Sequence, residues 1–263
     1  MNATRRTLLA GLAATAAAPA LHAQPAPLIR RPIPSSGEMI PIIGLGSARR
    51  YEEAKTEADM APLRDTFRRF HELGGTVVDS APSYGNAEAI MGTIMSELGI
   101  RRDLFVCTKV GVDNIEQGRA QIEASFKALR TEKIDLLAVH NLRDITNELA
   151  YLRELKAAGR IRYVGATTSF DRQYEAFEAM MRRETLDSIQ IDYALDNRNA
   201  AERIIPLAKD RGMAVFINLP FGRGSVFRAT EGKPLPSWAA EIDATSWAQI
   251  MLKYLVSHPA VTC

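Results

Sequence analysis

From residue 76 onward, short apolar segments alternate with segments whose apolar residues recur at helical spacing. The apolar segments predict strands at 76–81, 104–110, 134–140, 162–167, 188–193 and 214–219. The helically spaced segments predict helices at 87–98, 116–129, 147–158, 171–183, 200–211 and 244–256. Such alternation is typical of parallel βα units joined by right-handed crossovers.

A strand at Ile40–Gly46 and a helix at 57–73 precede this series, and residues 259–263 begin a further strand. Seven strands and the start of an eighth predict an α/β fold, namely a (β/α)8 TIM barrel whose last strand/helix unit is incomplete at the C-terminus. A doubly wound open sheet is the alternative. It would require a glycine-rich turn leading directly into the first helix, and no helix signal directly follows Gly46.

The first residues have the pattern of a leader. Arg5 and Arg6 precede an Ala/Leu-rich run that ends in small residues, which predicts a twin-arginine signal peptide over 1–23. An ordinary secretory signal or an uncleaved amphipathic leader would explain the same residues. The apolar run is shorter than the ~20 residues of a membrane span, so no stable membrane insertion is expected after cleavage. We therefore expect export, to the periplasm or beyond, with the twin-arginine (Tat) machinery as a partner.

A proline-rich tether at 24–34 is predicted to join this leader to a barrel over 35–263. The formal net charge of +2 gives no reason to expect nucleic acid as a partner. With two cysteines, Cys107 and Cys263, the chain is not a disulfide-rich scaffold, and Cys107 is predicted to be a small buried hydrophobe.

Four polar side chains lie at or just after three successive predicted strands: Asp79 and Tyr84, then Lys109, then His140. In βα barrels the C-terminal strand ends form the active site, so these side chains are expected to meet there. Each has an ordinary explanation: a turn cap, an exposed aromatic, a snorkelling lysine or a core histidine. Their coincidence on neighbouring strands favours a site. No Ser/His/Asp order or metal-ligand spacing competes with it.

These four groups suit proton transfer to a carbonyl oxygen. The Lys109 ammonium, paired with Asp79, would favour the phenolate of Tyr84 and lower its pKa. A tyrosine tuned in this way is a better general acid than an isolated phenol. His140 could hydrogen-bond the substrate oxygen and hold it near the phenol.

The motifs in this order resemble those of the aldo-keto reductase family. The similar segments are 78–81 with Tyr84, Gly85 and Glu88, then 108–109, 135–140, 159–165, 190–193, 220–224 and 257–262. The resemblance implies a barrel that reduces carbonyls with NADPH or NADH, in which Tyr84 is the general acid. It also implies cofactor-binding roles for Gly46, Thr167, Thr168, Gln190, Asn218, Pro220, Gly222 and Arg223.

Three departures from the family pattern accompany this resemblance. Thr168 stands where the family has an amide, and Asn218 stands where a stacking aromatic is common. The family also continues into a further strand, loop and helix, so this chain is expected to be a C-terminally truncated member. The predicted function is reduction of small aldehydes, ketones or sugar-like carbonyls. The alternative is a non-catalytic barrel with a degenerate cofactor site that binds a small ligand or a protein partner.

Overall fold

A computed structural model describes residues 28–263, so the predicted leader and the first part of the predicted tether lie outside the described residues. Seven parallel strands form one curled sheet, in chain order. They are β3 Gly44–Gly46, β4 Val77–Asp79, β5 Phe105–Val110, β6 Ile134–His140, β7 Ile161–Thr168, β8 Ser188–Asp192 and β9 Ala214–Asn218. The predicted α/β fold with parallel βα units is confirmed.

Within residues 28–263, eight α-helices accompany the strands. They are α1 Glu57–Glu72, α2 Ala87–Glu97, α3 Ile115–Ala128, α4 Ile145–Ala157, α5 Tyr174–Arg183, α6 Ile204–Asp210, α7 Ser225–Thr230 and α8 Trp247–Ser257. Most predicted bounds lie within a few residues of these. Helix α8 begins three residues later than predicted because the Ser246 side chain caps it by accepting from the Gln249 N–H. None of the helices in residues 28–263 is long and apolar enough to cross a membrane.

The end of the chain lies beside β9. The N–H groups of Thr262 and Cys263 donate to the Val215 carbonyl at 2.8 and 3.2 Å, and the Ile217 N–H donates to the Cys263 carbonyl at 2.8 Å. These residues therefore occupy the position of the eighth strand of a barrel, as predicted, although they are not assigned as a strand.

Two short strands outside the main sheet differ from the predicted layout. Strand β1 (Arg30–Pro32) pairs antiparallel with β2 (Met39–Pro41), so the predicted tether is folded from Arg30 onward, and the predicted strand Ile40–Gly46 is divided between β2 and β3. The reason is burial: Ile33 and Ile40 are nearly inaccessible and pack on the interior side chains of the sheet. The proline-rich composition therefore does not indicate that two buried isoleucines hold this segment in place.

Strand residues alternate between two cores. Val77, Phe105, Cys107, Leu136, Tyr163, Ala214 and Phe216 form the inner core, whereas the alternate residues pack outward against the helices. Cys107 is a buried free thiol, as predicted. This alternation decides which strand-end residues can reach the interior of the barrel.

One buried carboxyl group lies in the contact between α3 and α4. Glu148 in α4 is inaccessible, and neither of its oxygens has a hydrogen-bond partner among residues 28–263. It packs against Gly118 of α3, where a Cβ would overlap the carboxylate. Burial, reinforced by Asp144 and opposed by Arg119, raises the pKa of Glu148 to about 7. The α3–α4 contact therefore holds a carboxyl group that is about half protonated at neutral pH.

Replacing Glu148 with glutamine is expected to stabilise the protein at pH 8 but not at pH 4. Because the folded pKa is raised above its usual value, the folded state retains a proton that the unfolded chain releases. Stability therefore falls as pH rises from about 4.5 to about 7. Glutamine cannot ionise, so the gain at pH 8 should be on the order of 2–3 kcal/mol. Urea unfolding at both pH values measures it, with the exposed Glu154→Gln as control. Equal gains at both pH values would contradict this account.

Candidate active site

The C-terminal ends of the strands surround one opening, here called the mouth. The inner-core alternation continues into the mouth, so that each strand has an inward-facing residue at or near its C-terminal end. These are Gly46, Asp79, Lys109, His140, Thr167, Gln190 and Asn218. The register pairs His140 with Thr167 and Thr167 with Gln190, which places these three residues side by side. Seven predicted site residues therefore share one end of the barrel.

Lys109 and Asp79 form a buried ion pair. The Lys109 Nζ donates to both Asp79 oxygens at 2.9 and 2.8 Å and to the Ser80 carbonyl at 2.6 Å. The Lys109 side chain is 2% exposed and that of Asp79 is 24% exposed. Burial alone would lower the pKa of Lys109, but Asp79 and Tyr84 outweigh it and the net pKa is raised. Lys109 is therefore a fixed cation.

Tyr84 lies beside this cation and beside His140. The Lys109 Nζ is 5.4 Å from the centre of the Tyr84 ring, and the Tyr84 and His140 ring centres are 6.2 Å apart with nearly perpendicular planes. Lys109 is the largest single influence on the pKa of Tyr84 and lowers it. Burial, Asp79 and Glu52 together outweigh that influence, so the net pKa is raised. The predicted net lowering of this pKa is therefore wrong, because the net shift is upward.

His140 is held as a neutral imidazole. Burial, followed by the charges of Lys109 and Arg143, lowers its pKa to about 4. A Cβ at Gly111 would lie 3.0 Å from the His140 Cβ, so a glycine is needed for this close approach. The next two residues, Asn141 and Leu142, are in the left-handed region and turn the chain sharply away from the strand. A neutral histidine can donate one hydrogen bond without carrying charge.

Two amides lie on the opposite side of the mouth. The Thr167 hydroxyl donates to the Gln190 Oε1 at 3.2 Å, which leaves the Gln190 amino group free to donate. The Asn218 amino group donates to the Thr168 carbonyl at 3.4 Å, and the Asn218 Oδ1 is buried without a partner among residues 28–263. The mouth therefore contains one amide with a free donor and one with a free acceptor.

Thr168 differs from its predicted cofactor-binding role. It alternates with Thr167 and so follows Val164 and Ala166 on the outer face of β7. Its hydroxyl donates to Gln173 at 2.5 Å and accepts from the Phe170 N–H at 3.2 Å. Since the residue is fully buried in these contacts, its side chain does not line the mouth.

The remaining predicted residues lie in the loop that follows β9, which contains Pro220, Gly222 and Arg223. Arg223 and Gly222 line a cleft of about 280 Å³ together with Ser169, Asp192 and Asn197. The Arg223 Nη2 lies 3.5 Å from the Ser169 hydroxyl, and a Cβ at Gly222 would overlap the Asp196 carboxylate. A larger open cleft of about 840 Å³ lies at the other end of the barrel and contains none of the predicted residues.

Sequence reasoning missed two carboxylates at this end. Asp192 shares the inner face of β8 with Gln190, accepts from Tyr174 at 2.8 Å and from Asn197 at 2.7 Å, and has a pKa raised by burial. The two-residue strand period was the available signal for it. Glu52 lies in the loop between β3 and α1, for which no periodic signal exists. No group of three or more potential metal ligands occurs within residues 28–263.

Comparison with known proteins identifies relatives of this chain. The chain is 31% identical over 175 residues to the aldo-keto reductase YhdN of Bacillus subtilis, and the match covers 61% of this chain and 52% of YhdN. It is 28% identical over 188 residues to the NADH-specific methylglyoxal reductase of Escherichia coli, covering 61% and 56%. The chain thus spans about half the length of these two curated relatives.

An aldo-keto reductase from Klebsiella pneumoniae, solved in complex with NADPH, has a similar fold, with a TM-score of 0.74 at 19% identity. That likeness covers 89% of this chain and 84% of the Klebsiella chain. Residues 42–263, nearly all of the described barrel, match the Aldo/keto reductase family. The chain therefore belongs to the aldo/keto reductase family.

Proposed function

We propose that this protein reduces a small carbonyl compound to an alcohol with a nicotinamide cofactor and that Tyr84 is the general acid. The observation that carries the proposal is the position of Tyr84 between the buried Lys109–Asp79 pair and the neutral His140. A phenol between a fixed cation and a neutral hydrogen-bond donor suits protonation of an oxygen that gains negative charge.

The two amides of the mouth fit the carboxamide of a nicotinamide ring. A primary carboxamide has one acceptor oxygen and an amino group that donates, which complements the free amino group of Gln190 and the unpaired oxygen of Asn218. The assignment of the Asn218 amide is set by the Thr168 carbonyl, which can only accept. Arg223 is the cation among the residues that line the adjacent cleft, where its guanidinium could bond one phosphate group of the cofactor.

The three carboxylates of that cleft would oppose a diphosphate by their charge, because the donors that bond them are neutral. Asp192 accepts from Tyr174 and Asn197, Asp171 accepts from Asn197 and Asn199, and Asp196 accepts from Ser225. Relatives are named for NADPH complexes and for NADH specificity, so either nicotinamide cofactor is compatible with the proposal.

The residues would divide the chemistry as follows. His140, neutral above pH 5, donates a hydrogen bond to the carbonyl oxygen and polarises it. The bound cofactor supplies a hydride to the carbonyl carbon. As the C=O π bond breaks and its electron pair moves to oxygen, the Tyr84 hydroxyl transfers its proton to that oxygen. Lys109 then stabilises the phenolate, and Asp79 balances the charge of Lys109.

The substrate class follows the same reasoning. Small aldehydes, α-oxoaldehydes, ketones and sugar-like carbonyls all offer the single oxygen that Tyr84 and His140 would bind, and the name of the Escherichia coli relative includes one of them, methylglyoxal.

Export through a twin-arginine signal at 1–23 stays a prediction, which N-terminal sequencing of the secreted protein would check.

Calorimetric titration tests the cofactor half of this proposal. We expect NADPH or NADH to bind in the roughly micromolar range typical of enzymes. An NADP analogue with acetyl in place of the carboxamide lacks the N–H donor, so it should bind about tenfold more weakly than NADP. The Asn218→Ala variant should bind the two equally, whereas Asn147→Ala, on the exterior helix α4, should keep the difference.

Turnover with a panel of carbonyl compounds, methylglyoxal included, tests the proposed carbonyl reduction. Absence of binding up to millimolar cofactor, together with absence of turnover, would overturn the proposal. That outcome would favour the non-catalytic barrel, for which the outward-facing Thr168 and the missing aromatic at Asn218 are the relevant features.

A further inference from the structure

Hydrogen bonds join the loop between β3 and α1 to Asp79 and Ser80, the two residues that bond Lys109. The Ser47 N–H donates to the Asp79 carbonyl at 3.1 Å, and the Ser47 hydroxyl donates to the Ser80 hydroxyl at 3.0 Å. Tyr51 anchors the middle of the loop, since it is buried with its ring edge-on to Phe67. The residue that follows Tyr51 is therefore held in one place.

That residue is Glu52, and it lies against the turn that carries Tyr84. A Cβ at Gly85 would lie 3.5–3.7 Å from the Glu52 carbonyl oxygen, Cβ and Cα. Gly85 has a φ of +52°, so a side chain there would be strained as well as crowded. The Glu52 Oε1 accepts from the Arg49 N–H at 2.6 Å, which fixes the carboxylate without neutralising it. None of the ion pairs in residues 28–263 includes Glu52.

The charged and titratable groups that face Tyr84 come from five elements. Lys109 of β5 and Arg223 of the loop after β9 are cations, Asp79 of β4 and Glu52 are anions, and His140 of β6 is neutral. Asp79 is bonded directly to the Lys109 ammonium, so much of its charge is balanced there. Glu52 is the facing carboxylate without a cationic partner among the described residues. Its charge raises the pKa of Tyr84.

We propose that Glu52 is a positioning residue for the proposed reaction, whose carboxylate, held against the turn that carries Tyr84, favours carbonyl reduction over alcohol oxidation at neutral and alkaline pH. The inference rests on the proposed function and adds a residue to it. Its physical basis is Coulombic: a negative charge near a phenol disfavours the phenolate. The turn at Gly85 and the buried Tyr51 keep that charge at a constant distance from Tyr84.

Fluorine NMR of the cofactor-free protein tests the electrostatic part. Uniform 3-fluorotyrosine lowers the pKa of every tyrosine, so that the titration falls within the pH range of the folded protein, and Tyr84→Phe identifies the signal of Tyr84. In Glu52→Gln the Tyr84 titration midpoint should fall by about 0.5–1 pH unit. Glu52→Asp, which keeps the charge, and the exposed neighbour Glu53→Gln should leave it near the wild-type value. An unchanged midpoint in Glu52→Gln would overturn the proposal.

The pH profile of kcat/KM tests the catalytic part. The alkaline limb of carbonyl reduction should move to lower pH in Glu52→Gln by the same amount as the Tyr84 midpoint, while kcat/KM at pH 6 stays within twofold. A limb that does not move, despite a shifted midpoint, would overturn the role in catalysis. If wild-type protein shows no turnover at all, the proposed function fails. The NMR result then decides separately whether Glu52 controls Tyr84.

Discussion

Replacing Tyr84 with phenylalanine is expected to lower kcat/KM for carbonyl reduction by about 10²–10⁴-fold, the contribution of a general acid. The change deletes only the hydroxyl and keeps the ring that faces Lys109 and His140. Because Tyr84 binds no cofactor group in the proposed arrangement, the dissociation constant for NADPH should stay within about twofold. Steady-state kinetics with methylglyoxal and calorimetry with NADPH measure the two quantities.

The matched control is Tyr151→Phe. Tyr151 is on α4, where its ring packs against the Arg119 guanidinium at 4.0 Å, far from the mouth in the fold. This variant should keep the wild-type kcat/KM. If Tyr84→Phe also kept kcat/KM within tenfold, another group would have to donate the proton, and the role assigned to Tyr84 would be wrong.

The parallel fold could be predicted because its signal is local. Strand β6 was predicted with its observed bounds, Ile134–His140, since a run of apolar residues between two helical patterns is legible in the sequence itself. The two-residue strand period then placed Asp79, Lys109 and His140 on one face. The hairpin of β1 and β2 carries no such signal, because its buried residues, Ile33, Ile40 and Pro41, are few and prolines surround them.

The electrostatics of the site could be predicted only in part. The Lys109–Asp79 pair follows from strand position, and the structure contains it. The net direction of the Tyr84 pKa does not, because it depends on burial and on Glu52, which a loop of no regular pattern brings to the site. The direction of the Thr168 side chain was also not predicted. Its neighbour Thr167 faces the mouth, whereas Thr168 faces outward and bonds Gln173, which is a consequence of strand parity that the family motif does not reveal.

Replacing Lys109 with methionine is expected to impair both stability and turnover. The methionine side chain fills the space of the buried lysine. The loss of the Lys109 ammonium leaves the Asp79 carboxylate without the cation that donates two of its hydrogen bonds. Breaking a buried pair in this way costs about 3–5 kcal/mol, and the 24% exposure of Asp79 places this pair toward the lower end. Turnover should fall by about 10²–10³-fold because the phenolate of Tyr84 loses the charge that stabilises it.

The double variant Asp79→Asn/Lys109→Met separates the two effects. With both charges removed, no carboxylate is left uncompensated, so urea unfolding should show that much of the lost stability returns. Turnover should not return, because no cation faces Tyr84 from β5. Arg68→Met provides the control: Arg68 pairs with Asp65 at 2.8 Å and the two side chains are 49% and 68% exposed, so its loss should cost less than about 1 kcal/mol and leave kcat/KM unchanged. Recovery of turnover in the double variant would show that Lys109 only maintains the fold, and the proton-transfer role of the pair would have to be abandoned.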